Sequence, residues 1–551
     1  MPTGLALSPD GETLYVTCAA PASTVEAVDW ARRKVLRRYR AGHTAMSPLL
    51  SPDGKVLYVC NRFNNTVSVI DLKSGDETAR IPVSREPVSA AITSDGRHLL
   101  VANRFHNGRA DQEPVAAQVD VIDLTTGKVV RNIRLPSGSG LLSEICISPD
   151  GRYACVTHLL SRFQLPTTQV ERGWMNSNAF TIIDLATWDV LNTVLLDNVE
   201  CGAANPWGCS WSANGRWLVV THAGTHELSV IDFPGLLAKL SGLPEHLSPA
   251  TTADYTVGSR SRKDVPSDLA FLVGLRERVT IQGRGPRAVV TRGSRAYVAS
   301  YFSDDVEAFD LGGARVLCAA QARLSPAGPM SVERKGEFWF NDGTLCLQGW
   351  QSCASCHSDD GRVDALNWDL LNDGVGNPKN SKSMLKSHVT PPAMSLGVRD
   401  KAEAAVRAGI HGILFAQVPE QVPLAIDQWL RTLEPIPSPF LANGKLSAAA
   451  KRGEQLFSSP QARCAQCHPK GLFTDMHHYD VGTQNSTDKP GEAFDTPTLL
   501  EIWRTAPYLH DGSAATLREV IVDRNPANRH GHTSKLKPTE IDDLVAYLLS
   551  L

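Results

Sequence analysis

The 551-residue sequence has no apolar run approaching the 18 or more residues that a membrane-spanning helix needs. It has no block of one charge sign: 55 lysines and arginines stand against 58 aspartates and glutamates, a formal net charge of -3. Without a basic stretch to neutralise a row of phosphates, nucleic acid is not an expected partner. The N-terminus, Met1-Pro-Thr-Gly-Leu-Ala-Leu-Ser-Pro-Asp-Gly11, lacks the positive segment and apolar core of a secretory leader and enters strand-like sequence at once. What remains is an ordinary globular composition, 42% hydrophobic and 21% charged, in a chain too long for a single core.

The first 330 residues repeat. A turn signal recurs as Ser8-Pro-Asp-Gly11, Ser51-Pro-Asp-Gly54, Thr93-Ser-Asp-Gly96, Ser148-Pro-Asp-Gly151, Ser212-Ala-Asn-Gly215 and, degraded, Thr291-Arg-Gly-Ser294. Each is a hairpin signal, because glycine supplies the positive φ that the turn needs. A short β-rich run follows each turn, and then an alternating run ending in aspartate, at Asp29, Asp71, Asp123, Asp184, Asp232 and Asp310. The first turn glycines are 43 and 42 residues apart, close to the roughly 40–45 residues of a propeller blade. Residues 104–118, 159–178 and 233–270 read as insertions, the last with a short helix near Pro234–Leu243. The pattern resembles the YVTN-type propellers over residues 3–325, with six blades visible. A seventh blade and an export leader are expected upstream of Met1. Cys18, Cys60, Cys146 and Cys155 fall in strand-like runs and read as buried hydrophobes, whereas Cys201 and Cys209 flank a loop and are candidates for a disulfide.

The C-terminal 220 residues carry different chemistry. Cys353-Ala-Ser-Cys356-His357 and Cys464-Ala-Gln-Cys467-His468 are both C-x-x-C-H, in which two thiols form thioethers to haem and the adjacent histidine takes the iron. Zinc or a redox dithiol would leave each histidine unexplained. The two motifs sit in similar frames. Ser383–Gly397 lies without gaps on Thr498–Gly512, both halves reach a His-Gly pair (His411-Gly412 and His530-Gly531), and both end in an amphipathic helix. This is an internal duplication. The expected fold is therefore multidomain: an all-β propeller over 1–327, then two mainly α-helical class I cytochrome c domains over 328–440 and 441–551.

The segment Thr496-Pro-Thr-Leu499, followed by Thr505-Ala-Pro-Tyr-Leu-His-Asp-Gly512 and Thr516-Leu-Arg-Glu-Val-Ile521, resembles the bacterial diheme cytochrome c peroxidases and the related diheme enzyme that matures a tryptophan-derived cofactor. A propeller beside a diheme module also resembles hydrazine synthase. The resemblance implies two covalent haems c and a periplasmic or extracytoplasmic location. It also implies electron transfer from a small soluble donor, a cytochrome or cupredoxin, through the C-terminal haem to the N-terminal one, where hydrogen peroxide or another small substrate reacts. The alternatives are a non-catalytic electron carrier with a propeller interaction module, and a specialised oxidase or hydrazine-synthase-like subunit.

The sixth ligands decide between these. Where the family places a methionine or tyrosine after the Thr516–Ile521 helix, Asp523–His532 offers His530, so His468 and His530 form the expected axial pair of the second haem. His510, His477, His478 and His532 compete. No histidine occurs between Ser358 and Ser387, where peroxidases carry one, and the duplication points to His411, as a ligand or as the acid-base residue for peroxide. Met394 and His388 are further candidate ligands. Trp368, Trp429 and Trp503 are candidates for the space between haems, and Asn372 and Asp373 for a calcium ion.

Overall fold

The computed structural model describes residues 1–551 apart from 166–173, 247–257, 327 and 371–375. The repeat builds a six-bladed β-propeller. Each blade is an antiparallel sheet of four strands in sequence order, from Pro2–Leu7 through Lys34–Arg40 in blade 1 to Pro286–Arg292 through Leu317–Arg323 in blade 6. Blade 4 has its inner strand broken in two, Ser139–Gly140 and Ile145–Ile147.

The turn signal works through its side chains. Ser8, Ser51, Thr93, Ser148 and Ser212 each accept the backbone N–H five residues on, at 2.8–3.0 Å, and donate to the aspartate or asparagine two residues on. The glycine that follows has φ between +67° and +76° in all five. All six repeat aspartates end the third strand of their blade, and each carboxylate accepts one or two N–H groups of the next turn. The predicted short helix is present as Phe233–Ser241, with the Asp232 side chain capping it. The two ends of the 159–178 insertion extend the central hairpin of blade 4, whose strands run over Tyr153–Ser161 and Asn176–Asp184.

Inner strands pack consecutively from blade 1 to blade 6. Blades 1 and 6 share no hydrogen bond or ion pair among the described residues, and Leu5, Leu7 and Val290 on their inner strands are exposed. The expected Cys201–Cys209 pair does not form. Cys201 lies against Arg278 and Asn198, and Cys209 instead faces Cys146 across the blade 4–blade 5 junction.

The C-terminal region folds as two copies of one helical frame. Helix Val332–Asn341 crosses Gln421–Arg431 in the first, and Ala448–Phe457 crosses Pro538–Leu548 in the second. Both crossings close on a glycine: a Cβ on Gly336 would lie 2.0 Å from Ala425 O, and one on Gly453 would lie 1.9 Å from Asp543 O. An aromatic pair backs each crossing, Phe340–Trp429 at 4.8 Å and Phe457–Tyr547 at 5.3 Å. The loops between repeat the same backbone at an offset of 115. Lys386 and Glu501 have φ of 60° and 57°, Met394 and Leu509 75° and 73°, and Gly397 and Gly512 both 61°.

This pair of cytochrome folds sits on one face of the propeller, the face opposite the Ser-Pro-Asp-Gly turns. Loops of five blades reach it. Examples are His43 Nε2 on Pro437 O (2.8 Å), Arg85 on the carbonyls of Arg504 and Ala506, His106 Nε2 on Ala365 O (2.8 Å), Asn178 on Trp350 O and Gly224 O receiving Gly343 N–H. Among the described residues no helix is long and apolar enough to cross a membrane.

Gly336→Ala and Gly453→Ala are each expected to destabilise their own cytochrome fold by about 1–3 kcal/mol, because backbone rather than a movable side chain occupies the space. Thermal unfolding followed at the Soret band measures this. His106 gives a pH prediction. Burial, reinforced by Arg85, lowers its pKa from 6.5 to about 4 despite the Ala365 carbonyl. The unfolded chain therefore takes the proton first, and this contribution to stability is full above pH 6.5 and lost as pH falls toward 4. It amounts to roughly 3 kcal/mol at most. His106→Gln should flatten the acid side of the stability-against-pH curve in part, since buried His158 and His222 are lowered in the same way.

Candidate haem sites

Each C-x-x-C-H segment makes one tight turn, Cys353–Ser355 as a 3-10 turn and Cys464–Cys467 as a single α-turn. The histidine N–H donates back to the first cysteine carbonyl, His357 to Cys353 at 2.9 Å and His468 to Cys464 at 3.0 Å. Both imidazoles are then held by Nδ1. His357 Nδ1 donates to Arg362 O (3.3 Å) and His468 Nδ1 to Phe473 O (2.8 Å), equivalent carbonyls in the two halves. That bond fixes the tautomer and leaves Nε2 free for a metal. A shared zinc site has no support in the layout: the two motifs belong to separate folds, and the described residues contain no group of three or more side chains placed to hold an ion.

The two halves differ in what faces the proximal histidine. In the second half, His530 stands opposite His468 with ring centroids 6.4 Å apart. A metal bonded at about 2 Å to one nitrogen of each ring, with about 1.1 Å from nitrogen to ring centre, needs about 6.2 Å. His530 is built into place. Asn525 Nδ2 donates to His530 O, Gly531 O and Thr533 Oγ1, and its Oδ1 accepts His530 N–H. Burial and the neighbouring His468 push the His530 pKa down to about 4, so the ring is neutral. Its Nδ1 has no hydrogen-bond partner. The competitors are otherwise engaged. His510 bonds Asp488 at 2.7 Å and stacks on Phe494, while His477 and His532 are exposed and His478 pairs in a short strand with Asp495.

The first half has a cavity of about 330 Å³ at His357. Helix Ala402–Gly412 lines it with Ala405, Val406, Ala408, Gly409 and Gly412, a face of mostly small residues. His411 is not on that face. It is exposed at the helix end, and the expectation that it stands over the first haem fails for a geometric reason. The two halves keep an offset of 115 through the loop, so residue 411 corresponds to 526, while the matching His-Gly pairs lie 119 apart. The shared dipeptide is coincidental. His388 is held by Asp427 at 2.9 Å and is unavailable. Met394 does line the cavity, as does Met384.

A third methionine, Met175, comes from the long hairpin of propeller blade 4 and also lines the cavity. Nothing in the linear sequence ties it to this site. The neighbouring Asn176 Nδ2 approaches Cys356 Sγ at 3.7 Å and bonds Gln351 at 2.8 Å, and Asn205 of the propeller bonds both Ser352 and Ser355. Just past His357, Asp359 accepts Arg104 Nε at 2.8 Å and also pairs with Arg62, which in turn bonds Glu86. Burial alone would raise the Asp359 pKa, but Arg104 and Arg62 hold it well below the carboxylate range.

The two cytochrome halves are cross-linked by ion pairs: Arg362–Glu501, buried, at 2.8 Å, and the half-buried Lys379–Asp488, at 2.7 Å, and Lys382–Asp495. Trp368 lines the first cavity and donates to Asp364 at 2.7 Å, Trp429 belongs to the core of the first half, and Trp503 packs on Phe63 of the propeller. Asn372 and Asp373 lie outside the described residues.

Fold and site together define a c-type cytochrome carried on a six-bladed propeller, with covalently bound haem c. Residues 450–551 match the cytochrome c family. The chain is 33% identical over 272 residues to hydrazine synthase subunit gamma of Kuenenia stuttgartiensis, covering 40% of this chain and 77% of that one. It is 31% identical over 191 residues to the beta subunit from the same organism, covering 34% of this chain and 45% of the subunit, so it spans less than half of that relative. It is 25% identical over 281 residues to methylamine utilization protein MauG of Methylophilus methylotrophus, covering 41% and 84%. The chain belongs to the family of hydrazine synthase subunit gamma, within the diheme peroxidase-like cytochromes.

Asn525→Ala removes the four side-chain hydrogen bonds that Asn525 makes in the His530 loop and is expected to cost about 2–4 kcal/mol locally. Faster amide exchange across residues 525–533, with exchange in the propeller unchanged, is the measurement.

Proposed function

We propose that this chain is an extracytoplasmic diheme redox enzyme with divided labour. The C-terminal haem takes single electrons from a small soluble donor protein, and a small substrate reacts at the N-terminal haem. Cys353, Cys356 and His357 would hold one haem and Cys464, Cys467, His468 and His530 the other. Haem c bound there supplies one-electron exchange and, where an axial position is free, a place for a ligand. The observation that carries the proposal is the asymmetry. His530 faces His468 at the separation of an axial pair, whereas the described residues lining the cavity at His357 include no second histidine and one carboxylate, Asp495, engaged by Lys382.

The chain's own residues then have separable tasks. Arg362 joins the sites: its carbonyl orients His357 and its guanidinium bonds Glu501 of the other half. The small-residue face of Ala402–Gly412 leaves room above His357. Lys379 and Lys382 also line the cavity, where Asp488 and Asp495 engage them in the ion pairs that join the two halves.

The hydrazine synthase relatives and the resemblance to diheme peroxidases point to two substrate classes, a nitrogen compound and a peroxide. His411 does not supply the acid-base group that heterolytic peroxide cleavage needs, which favours the nitrogen-compound class. Met394 and Met384 support a second reading, in which one of them closes the first iron and the chain only carries electrons.

Carbon monoxide titration of the fully reduced protein separates these. Divided labour predicts one ligand bound per two haems, rising to two in His530→Ala. No binding by the wild type would show that both irons are closed and would establish the carrier reading. Rapid oxidation of a reduced donor cytochrome by hydrogen peroxide, unchanged in His411→Ala, would restore peroxide as the substrate.

A further inference from the structure

The junction between blades 4 and 5 holds three cysteines that play no part in haem attachment. Cys146 and Cys155 are register partners on neighbouring strands of blade 4, so their side chains leave the sheet on the same face, toward blade 5. Cys209 comes from the inner strand of blade 5, Pro206–Trp211, which packs against that face. Cys155 and Cys209 belong to one hydrophobic cluster with Trp211, Leu218 and Phe233, and Cys146 packs against it. Within this trio Cys146 Sγ and Cys209 Sγ approach to 3.0 Å, inside the van der Waals contact of two sulfurs, whereas Cys209 meets only the carbonyl of Cys155, at 3.8 Å.

We infer that Cys146 and Cys209 form a disulfide in the mature protein, stapling blade 4 to blade 5, and that Cys155 remains a thiol. The reaction is an exchange with the disulfide of an oxidising dithiol protein. One S–S bond forms between Cys146 and Cys209 and one breaks in the oxidant, which leaves as two thiols with the two protons and two electrons. The inference needs an oxidising compartment, where c-type haem is attached, and does not depend on which substrate the haems turn over. Oxidation must occur while the junction is still open, because Cys209 is buried once blade 5 has docked.

The place of the staple connects it to the first haem site. Loops leaving blades 4 and 5 on the cytochrome face supply Met175 and Asn176 from one blade and Gly202 and Asn205 from the other. These contact the segment Gln348–Cys356 from two sides. A bond between the two blades therefore fixes the spacing of both walls that hold the first C-x-x-C-H. Bridging residues 146 and 209 also closes a long loop of the unfolded chain, the situation in which a disulfide restricts the denatured state most.

The test uses full-length, haem-loaded protein isolated from the periplasm. The protein is denatured with an alkylating agent, digested without reductant and examined by mass spectrometry. Joined Cys146 and Cys209 peptides, two hydrogens lighter than the reduced pair, with Cys155 alkylated, are expected. Cys155→Ser should keep the link. Cys146→Ser and Cys209→Ser should each lose it and lower the melting midpoint by several degrees, and reductant should lower the wild-type midpoint but neither variant's. Alkylation of both Cys146 and Cys209 in protein carrying covalent haem would overturn the inference, as would a linked Cys155. Haem content in the same sample separates either result from a failure of export.

Discussion

Everything around the first haem site depends on Asp359. Its carboxylate is inserted between Arg62 of blade 2 and Arg104 of blade 3, two residues beyond the histidine that faces the cavity. A buried charge of this kind gains little net stability, since desolvation offsets most of the attraction, but removing one partner strands the others at a cost of about 3–5 kcal/mol. Its value here is positional. Asp359 and Asp360 both adopt left-handed backbone, φ 53° and 64°, which non-glycine residues hold only when their surroundings leave no alternative. The arginines provide that constraint, and the path of the chain from His357 to Arg362, including the carbonyl that orients the imidazole, follows from it. The propeller thus forms one wall of a haem site as well as carrying it.

Among the described residues the second attachment motif makes no hydrogen bond or ion pair with the propeller. Its facing histidine is held by a loop folded around Asn525 and Asn528, within one cytochrome fold. The helix crossings, the left-handed positions and the short turns repeat between halves closely enough that the loop after residue 514 stands out as the principal local difference. A duplicated frame thus carries a facing histidine from its own chain at one copy and is shaped at the other by a neighbouring domain.

Much of this was legible in one dimension. The blade repeat could be read because its turns use serine, aspartate and glycine for hydrogen bonds that are local in sequence. The attachment motifs could be read because covalent chemistry fixes their spacing. His530 could be singled out because its loop lies where the family keeps a ligand, and the fold brings it opposite His468. His411 was misplaced because matching two His-Gly dipeptides ignored their settings: His530 lies in a loop held by Asn525, whereas His411 ends a helix whose cavity face is formed by Ala405, Val406, Ala408, Gly409 and Gly412. Met175, Asn176 and the arginines on Asp359 were invisible, because their partners lie 175 to 297 residues away and no local pattern marks a contact between domains. The Cys146–Cys209 approach was hidden for the same reason, since strand position predicts burial but not which strand of the next blade lies opposite.

The docking of the first attachment motif carries a consequence for assembly order. Ser352 and Ser355 are buried against Asn205, and Cys356 is backed by Asn176, so the motif lies between the propeller and its own haem cavity. The machinery that forms thioethers must handle an extended, exposed peptide, and that peptide ceases to exist once the two domains meet. Maturation therefore runs in one direction: a propeller that has closed over an unmodified motif has buried the substrate of the next step.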